Sequence, residues 1–348
     1  MLYLYIMIDV FLSIQISETK IIVYMLAIFC CKYKKYEYML NNSIFYWNDY
    51  IKILDICNKI EHDIINIFGQ NNLKSGVAFP PGVSLNNCVC HDTANVNETR
   101  TINYDDVCKI DFGTHINGHI IDCAFTVAFN PEYEPLLVAS KEATYSAIKM
   151  ARPDVLVYDI SKNIKEVIES YEVTIKGKTY DVKAIQGLGG HSIDPYIIHS
   201  GQLILCTPHD SKEYKSDRIK ENCQYAIETY ASTGTGILHQ ITDRESNHYM
   251  LNKDYTENFN SKLKTVNTVH NWIKKNRLTL GFCPRWLNEQ QIKGIDLSLR
   301  ELSRKTNPPV VTEYPPLDDI KGSYVSHFEH TVYVHEYGTE VFTVDDDY

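Results

Sequence analysis

The stretch Lys109-Ile110-Asp111-Phe112-Gly113-Thr114-His115-Ile116-Asn117-Gly118-His119-Ile120-Ile121-Asp122-Cys123-Ala124-Phe125-Thr126 decides the fold. Asn117-Gly118 is a strong β-hairpin signal, because a type I′ turn needs positive φ at both central residues. With that turn at the tip, Ile116 pairs with His119, Thr114 with Ile121 and Gly113 with Asp122. Side chains alternate faces along a strand, so Asp111, Gly113 and Asp122 share one face. The two carboxylates become diagonal neighbours, roughly 7–8 Å apart at the backbone. Two anions that close among isoleucines and phenylalanines repel each other unless a cation sits between them. A turn-flanking pair on a solvated face is the blander alternative, and the apolar surround argues against it.

The bulk numbers set limits on the rest. A chain of 348 residues holds one large domain or two ordinary ones, and 44% hydrophobic with 22% charged residues is ordinary for a globular protein. A formal net charge of −10 argues against nucleic-acid binding by the surface as a whole, and no specific DNA contact is expected. The ten cysteines form no CxxC pair, which leaves zinc ribbons and thioredoxin-like motifs unsupported. They read as reduced thiols of a cytoplasmic protein. Before residue 50 the sequence is apolar and Tyr-rich, but its apolar runs fall short of the ~20 residues that span a bilayer. Residues 1–49 are expected to be strands, a buried helix or the product of a wrongly chosen start codon, rather than an anchor or a secretory signal.

Outward from the hairpin, apolar positions in residues 51–68 recur at helical spacing, with Glu61, His62 and Asp63 toward water. Residues 79–91, rich in Pro, Gly and Asn, read as an ordered loop with short extended pieces. Residues 134–151 and 157–170 read as two helices, and residues 171–185 as a second hairpin turning at Lys176-Gly177. Gly187-Leu188-Gly189-Gly190-His191-Ser192 lacks the Lys-Ser/Thr of a phosphate loop and is not read as nucleotide binding. Strand patterns return in residues 224–230 and 322–334. Between them, residues 251–313 change to helical spacing with a basic excess, carried by Lys262, Lys264, Lys274, Lys275 and Arg277 opposite Val266, Val269 and Trp272. Strand runs with separate helix pairs predict an α+β fold: residues 50–348 as the main domain, with 251–313 inserted as a helical subdomain.

Three more residues extend the chemistry. His191 follows two glycines that let other groups approach, while Glu228 and Glu329 interrupt apolar strands. An acid there is costly to bury unless it is paired or bound to metal. Four carboxylates and one imidazole form a hard, oxygen-rich set able to hold two divalent cations about 3.5–4 Å apart.

The sequence at this point resembles the type II methionine aminopeptidases of the pita-bread metallopeptidase family. The similar stretches are Ala78-Phe79-Pro80, Ser84 to His91, Lys109 to Val127, Gly190-His191-Ser192-Ile193, Tyr225 to Thr229, His248-Tyr249-Met250, Tyr314 to Tyr324 and Phe328-Glu329-His330-Thr331, with the terminal Asp346-Asp347-Tyr348 also alike. The resemblance implies a pita-bread fold with a winged-helix-like insertion. It also implies removal of the initiator methionine from nascent polypeptides, with a preference for a small second residue. Asp111 would be a terminal ligand of one metal, and His191 and Glu228 of the other, with Asp122 and Glu329 bridging. The two ions would be cobalt, manganese, iron or zinc.

His91 and His199 would face the substrate, one near the peptide amine and the other near the reacting carbonyl. Glu228 would shuttle a proton, and Phe79, Ile198, His248 and Tyr314 would line the methionine pocket. The remaining histidines, among them His115, His119, His239, His327 and His330, are expected to be structural. A monomer is expected. The basic insertion reads as a solvated face, with ribosomal RNA as the alternative partner. Segments 211–221 and 240–247, which depart from the family, are expected near the pocket rim. The alternatives in function are a catalytically inactive pita-bread relative that binds RNA or protein, and a proline-directed peptidase. An intact ligand set argues against the first. The insertion and the Tyr314-Pro315-Pro316 motif argue against the second.

Overall fold

The computed structural model describes residues 51–240, 245–255, 259–304 and 307–343. The expectations for residues 1–49 and 346–348 fall outside them. The chain is α+β, as expected, and its centre is one antiparallel sheet. Its strands are β1 (Ser75–Leu85), β2 (Val107–Ile116), β3 (His119–Ala128), β4 (Gly189–Ile193), β5 (Leu203–Leu205) and β6 (Cys223–Ser232). β7 (His248–Leu251) and β8 (Val311–Tyr314) pair apart from it, and β9 (Val325–His335) returns to the centre. The order across the main sheet is β5-β4-β6-β9-β3-β2-β1.

The hairpin β2–β3 has the register read from its turn: Ile116 opposite His119, Thr114 opposite Ile121, Gly113 opposite Asp122. Asn117 and Gly118 have φ of 49° and 81°, the left-handed pair that a type I′ turn requires. The second hairpin turns at Lys176-Gly177 as expected. Residues 79–91 differ from expectation. Most of the segment extends β1, an 11-residue strand whose register shifts between Val77 and Phe79 and between Phe79 and Gly82. These irregularities accommodate Pro80 and Pro81, which have no N–H to give to a ladder.

Helix α1 (Ile53–Phe68) buries Ile53, Cys57, Ile60 and Ile64 and stops at Gly69, which is left-handed. Glu61 departs from the outward face assigned to it. It is buried, and its Oε1 accepts from Arg285 Nη2 at 2.5 Å. A charge on the core side of an amphipathic helix is tolerable only with such a partner, and that partner lies 224 residues away. Helices α2 (Glu134–Met150) and α3 (Val157–Ile168) build a core with Tyr225, Ile227, Val332 and Val334 of the sheet. Helices α4 (Lys264–Asn276), α5 (Pro284–Glu289) and α6 (Ile295–Arg304) lie between β7 and β8, which pair antiparallel. They share a second core with α1 and with Phe112, Ile121, Cys123 and Phe125 of the hairpin. Arg277, expected on the basic face, is buried instead and donates to the carbonyls of Val77 and Ala78. It fastens the helical segment to β1. No helix among the described residues is long and apolar enough to cross a membrane.

Candidate metal centre

Alternation puts Ile110, Phe112, Ile121, Cys123 and Phe125 on the face that meets the helices. The in-between residues face the other way. Ala78, Ile120, Ile193 and Ala226 make a small apolar floor there with Leu280. The five candidate ligands project beside it, one from each of five neighbouring strands: His191 on β4, Glu228 on β6, Glu329 on β9, Asp122 on β3 and Asp111 on β2.

Register explains how they meet. Glu228 and Glu329 lie directly opposite each other, His191 is opposite Ala226, and Ala124 is the partner of both Asp111 and Glu329. Alanine at those partner positions leaves room for the carboxylates to converge. Gly190 serves the same end, since a Cβ there would lie 2.3 Å from the Ala226 carbonyl oxygen.

Ligand atoms of Asp122, His191 and Glu329 all lie within 4.8 Å of one another. His191 Nε2 is 3.7 Å from Asp122 Oδ2 and 3.9 Å from Glu228 Oε1, too far for hydrogen bonds. Asp111 Oδ1 and Asp122 Oδ1 are buried without a hydrogen-bond partner. Burial first, and then the neighbouring acids, hold the carboxyls of Asp111, Asp122 and Glu329 well above their usual range. Burial also lowers the His191 imidazole, which keeps it neutral. Glu228 behaves differently: burial would raise it, but His327, His191 and the Tyr230 hydroxyl bring it below the usual carboxylate range. The unpaired acid oxygens of Asp111 and Asp122, converging on a neutral imidazole, fit divalent cations.

A cleft of about 730 Å³ opens over these residues. All of the remaining candidates line it: Phe79, His91, Ile198, His199, His248 and Tyr314. The His199 ring meets His191 edge-on at 4.4 Å, and His91 meets Tyr314 at 5.5 Å. Burial pushes His199 down to about 3 and also lowers His91, so both rings enter the cleft uncharged at neutral pH. His91 has φ 63°, rare for a residue with a Cβ and typical of strain held at functional sites. His248 is held by its neighbours: Nε2 is 3.0 Å from the Pro80 carbonyl oxygen and Nδ1 is 3.2 Å from Asn247 Oδ1. It forms wall rather than a free acid or base.

His115, His327 and His330 are buried, and His330 Nδ1 sits 2.7 Å from Thr343 Oγ1. Residues 211–221 contribute no lining to the cleft; of segment 240–247, residues 241–244 lie outside the described residues, and Asn247 supports the cleft through His248. Tyr230 and His327 were not foreseen at the site. The signal was present, because each lies two positions from a ligand and strand side chains repeat every two residues. Thr279, Leu280 and Gly281 also line the cleft from the segment after α4, and no pattern in the sequence pointed to them.

The profile of metallopeptidase family M24 matches residues 43–336. The chain is 41% identical to methionine aminopeptidase 2A of Arabidopsis thaliana over 85% of its own length and 65% of that protein. It is 40% identical to methionine aminopeptidase 2 of Schizosaccharomyces pombe, covering 86% and 68%. It thus spans about two thirds of the length of these relatives. Among solved structures, a thermophilic Arx1 superposes with a TM-score of 0.74 at 16% identity, covering 94% of this chain and 91% of that one. A methionine aminopeptidase from Thermotoga maritima gives 0.59 at 15% identity, covering 94% and 97%. Identities that low speak for the pita-bread fold alone. The profile match and the 40%-identical relatives are decisive on kinship: the chain belongs to metallopeptidase family M24, alongside the methionine aminopeptidases 2.

Proposed function

We propose that this chain is a dinuclear-metal aminopeptidase that removes N-terminal methionine from nascent polypeptides, with a preference for a small second residue. The observation that carries this reading is the convergence of five ligand side chains from five neighbouring strands, two of them with orphaned acid oxygens, under a cleft walled by Phe79, Ile198, His248 and Tyr314.

In this reading Asp111, Asp122, His191, Glu228 and Glu329 would hold two divalent ions, with Asp122 and Glu329 contributing to both. Cobalt, manganese, iron and zinc all suit the donor set. When bound, such ions activate water near neutral pH and polarise a peptide carbonyl. The chain's own groups do the rest. Glu228 takes the proton that water gives up and passes it to the leaving amine as the C–N bond breaks. His199 and His91, uncharged and confined, donate hydrogen bonds to the carbonyl oxygen as it gains charge and to the peptide chain. The apolar wall accepts the unbranched, polarisable methionine side chain. Residues 251–313 act as an inserted subdomain that closes one side of the cleft through Leu280 and Gly281. The enzyme would work as a cytoplasmic monomer, and the exposed Lys262, Lys264 and Lys275 are the part of its surface suited to the ribosome.

The test is hydrolysis of Met-Ala-Ser and Met-Leu-Ser by protein stripped with chelator and then reloaded with Mn²⁺ or Co²⁺. Metal-dependent release of methionine from the first peptide is expected, with the second cut far more slowly. No release from Met-Ala-Ser would sink the proposal and leave the inactive, RNA- or protein-binding relative in its place. Equal cleavage of both peptides would remove only the second-residue preference.

A further inference from the structure

We propose that His327 is a positioning residue of the metal centre: together with Tyr230 it clamps one oxygen of Glu228, so that the other oxygen alone is presented to the metals. The inference rests on the metal-centre reading above and goes beyond the five ligands.

The clamp follows from strand register. On β6 and β9, Glu228 faces Glu329 and Tyr230 faces His327. Because side chains repeat every two residues, these four form a block on the cleft side of the sheet. The Tyr230 and His327 rings stack at 4.0 Å with planes 16° apart. From that stack both polar ends reach the same atom. Tyr230 Oη donates to Glu228 Oε2 at 2.5 Å. His327 Nε2 lies 2.9 Å from the same oxygen and 3.8 Å from Glu329 Oε2. Glu228 Oε1 turns instead toward the ligand side, 3.9 Å from His191 Nε2.

Tyr230 and His327 are 3% and 1% exposed, so water does not stand in for either donor. A glutamate has three rotatable bonds, and a His327 N–H added to the Tyr230 donor on the same oxygen would fix the carboxylate plane. The two donors leave a single oxygen in a defined direction for a metal.

Direct ligation is the competing role for His327, since its ring nitrogen and the acids of Glu228 and Glu329 lie within 4.8 Å of one another. Its closest approach, however, is to the carboxylate oxygen that already receives the tyrosine proton. A donor role needs the Nε2–H turned onto that oxygen 2.9 Å away, whereas ligation needs the same nitrogen turned toward the 3.8 Å gap to Glu329 Oε2.

The two roles separate by substitution. His327→Gln keeps an N–H at comparable reach, and His327→Leu keeps bulk without a donor. Tyr230→Phe removes the other donor and leaves the stack. Each is titrated calorimetrically with Mn²⁺, its cobalt(II) absorption spectrum is recorded, and its metal-free melting point is measured alongside. His327→Leu and Tyr230→Phe are expected to bind Mn²⁺ about 10- to 100-fold more weakly than the parent, the usual cost of losing support behind a ligand. His327→Gln is expected within about threefold, with an unchanged cobalt spectrum, because the N–H donor is kept.

Unchanged affinity in His327→Leu and Tyr230→Phe would overturn the clamp. So would loss of a metal equivalent with an altered spectrum in His327→Gln, which would make His327 a ligand. If His327→Leu does not fold, Tyr230→Phe and His327→Gln still decide. Failure of the unsubstituted protein to bind Mn²⁺ would overturn the metal-centre reading itself.

Discussion

His115 shows how a single buried side chain sets a pH dependence apart from the metal centre. It lies on β2, fully buried, and burial first, then the Arg277 guanidinium, push its imidazole down to about 3. In the unfolded chain it titrates near its ordinary value of about 6.5. Between those values the unfolded state binds a proton that the folded state refuses, so stability falls as pH drops from about 6.5 toward 3. The slope from this one group approaches about 1.4 kcal/mol per pH unit in the middle of the window. We expect His115→Gln to flatten the pH dependence of urea unfolding by that amount between pH 6 and 4, relative to the parent, both in chelator. Parallel curves would show that His115 is protonated in the folded state. Such a residue is legible only as a type: alternation places it on the face of Asp111, but the depth of burial depends on Tyr196 and Arg277, which are remote in sequence.

At the scale of elements, the parts that read correctly are those whose causes are local. The Asn117-Gly118 turn fixes the hairpin register, and register alone puts Asp111 and Asp122 on one face. A slip of one residue would aim every side chain of one strand at the opposite side. Helices α1, α2 and α3 follow from their apolar periodicity within a residue or two of the expected ends. The misreadings share a non-local cause. Glu61 and Arg277 belong to polar faces by pattern, yet each is buried against a partner from a distant element. Residues 79–91 read locally as a loop with short extended pieces because Pro80 and Pro81 speak against a ladder, while β2 supplies the pairing on either side. The glycines before His191 are places of close approach, as their residue type predicts. Gly190→Ala would set a Cβ 2.3 Å from the backbone oxygen of Ala226, an atom held in the sheet. β4 must then separate from β6, which carries His191 away from Glu228. The expected result is a loss of about 1–3 kcal/mol of stability from overpacking, together with weaker Mn²⁺ binding in calorimetry. Parent-like metal affinity in a destabilised variant would show that His191 is placed by something other than this pair of strands.

Across the whole molecule, the five proposed ligands run from Asp111 to Glu329 and meet only when five strands have assembled. On the proposed reading the site exists only in the folded sheet, so metal-binding free energy would become folding free energy. Protons are part of the same balance. Without metal, Asp111, Asp122 and Glu329 have carboxyls held well above their usual range by burial and by each other. A raised folded value means that the folded state retains protons the unfolded chain releases. That contribution to stability is present at low pH and is lost as pH rises through the raised values. Metal binding reverses the sign, because a cation displaces those protons and favours the ionised acids. The metal-free protein should therefore lose stability from the site as pH rises from 5.5 to 7.5, while the rise in melting temperature on adding Mn²⁺ should grow over the same interval. Calorimetry at pH 7 should also show a binding enthalpy that varies with the ionisation enthalpy of the buffer, its slope reporting protons released. A buffer-independent enthalpy together with equal melting shifts at pH 5.5 and 7.5 would mean that the acids are already ionised before any cation arrives, and the account of the cleft as a site that trades protons for metal would fail.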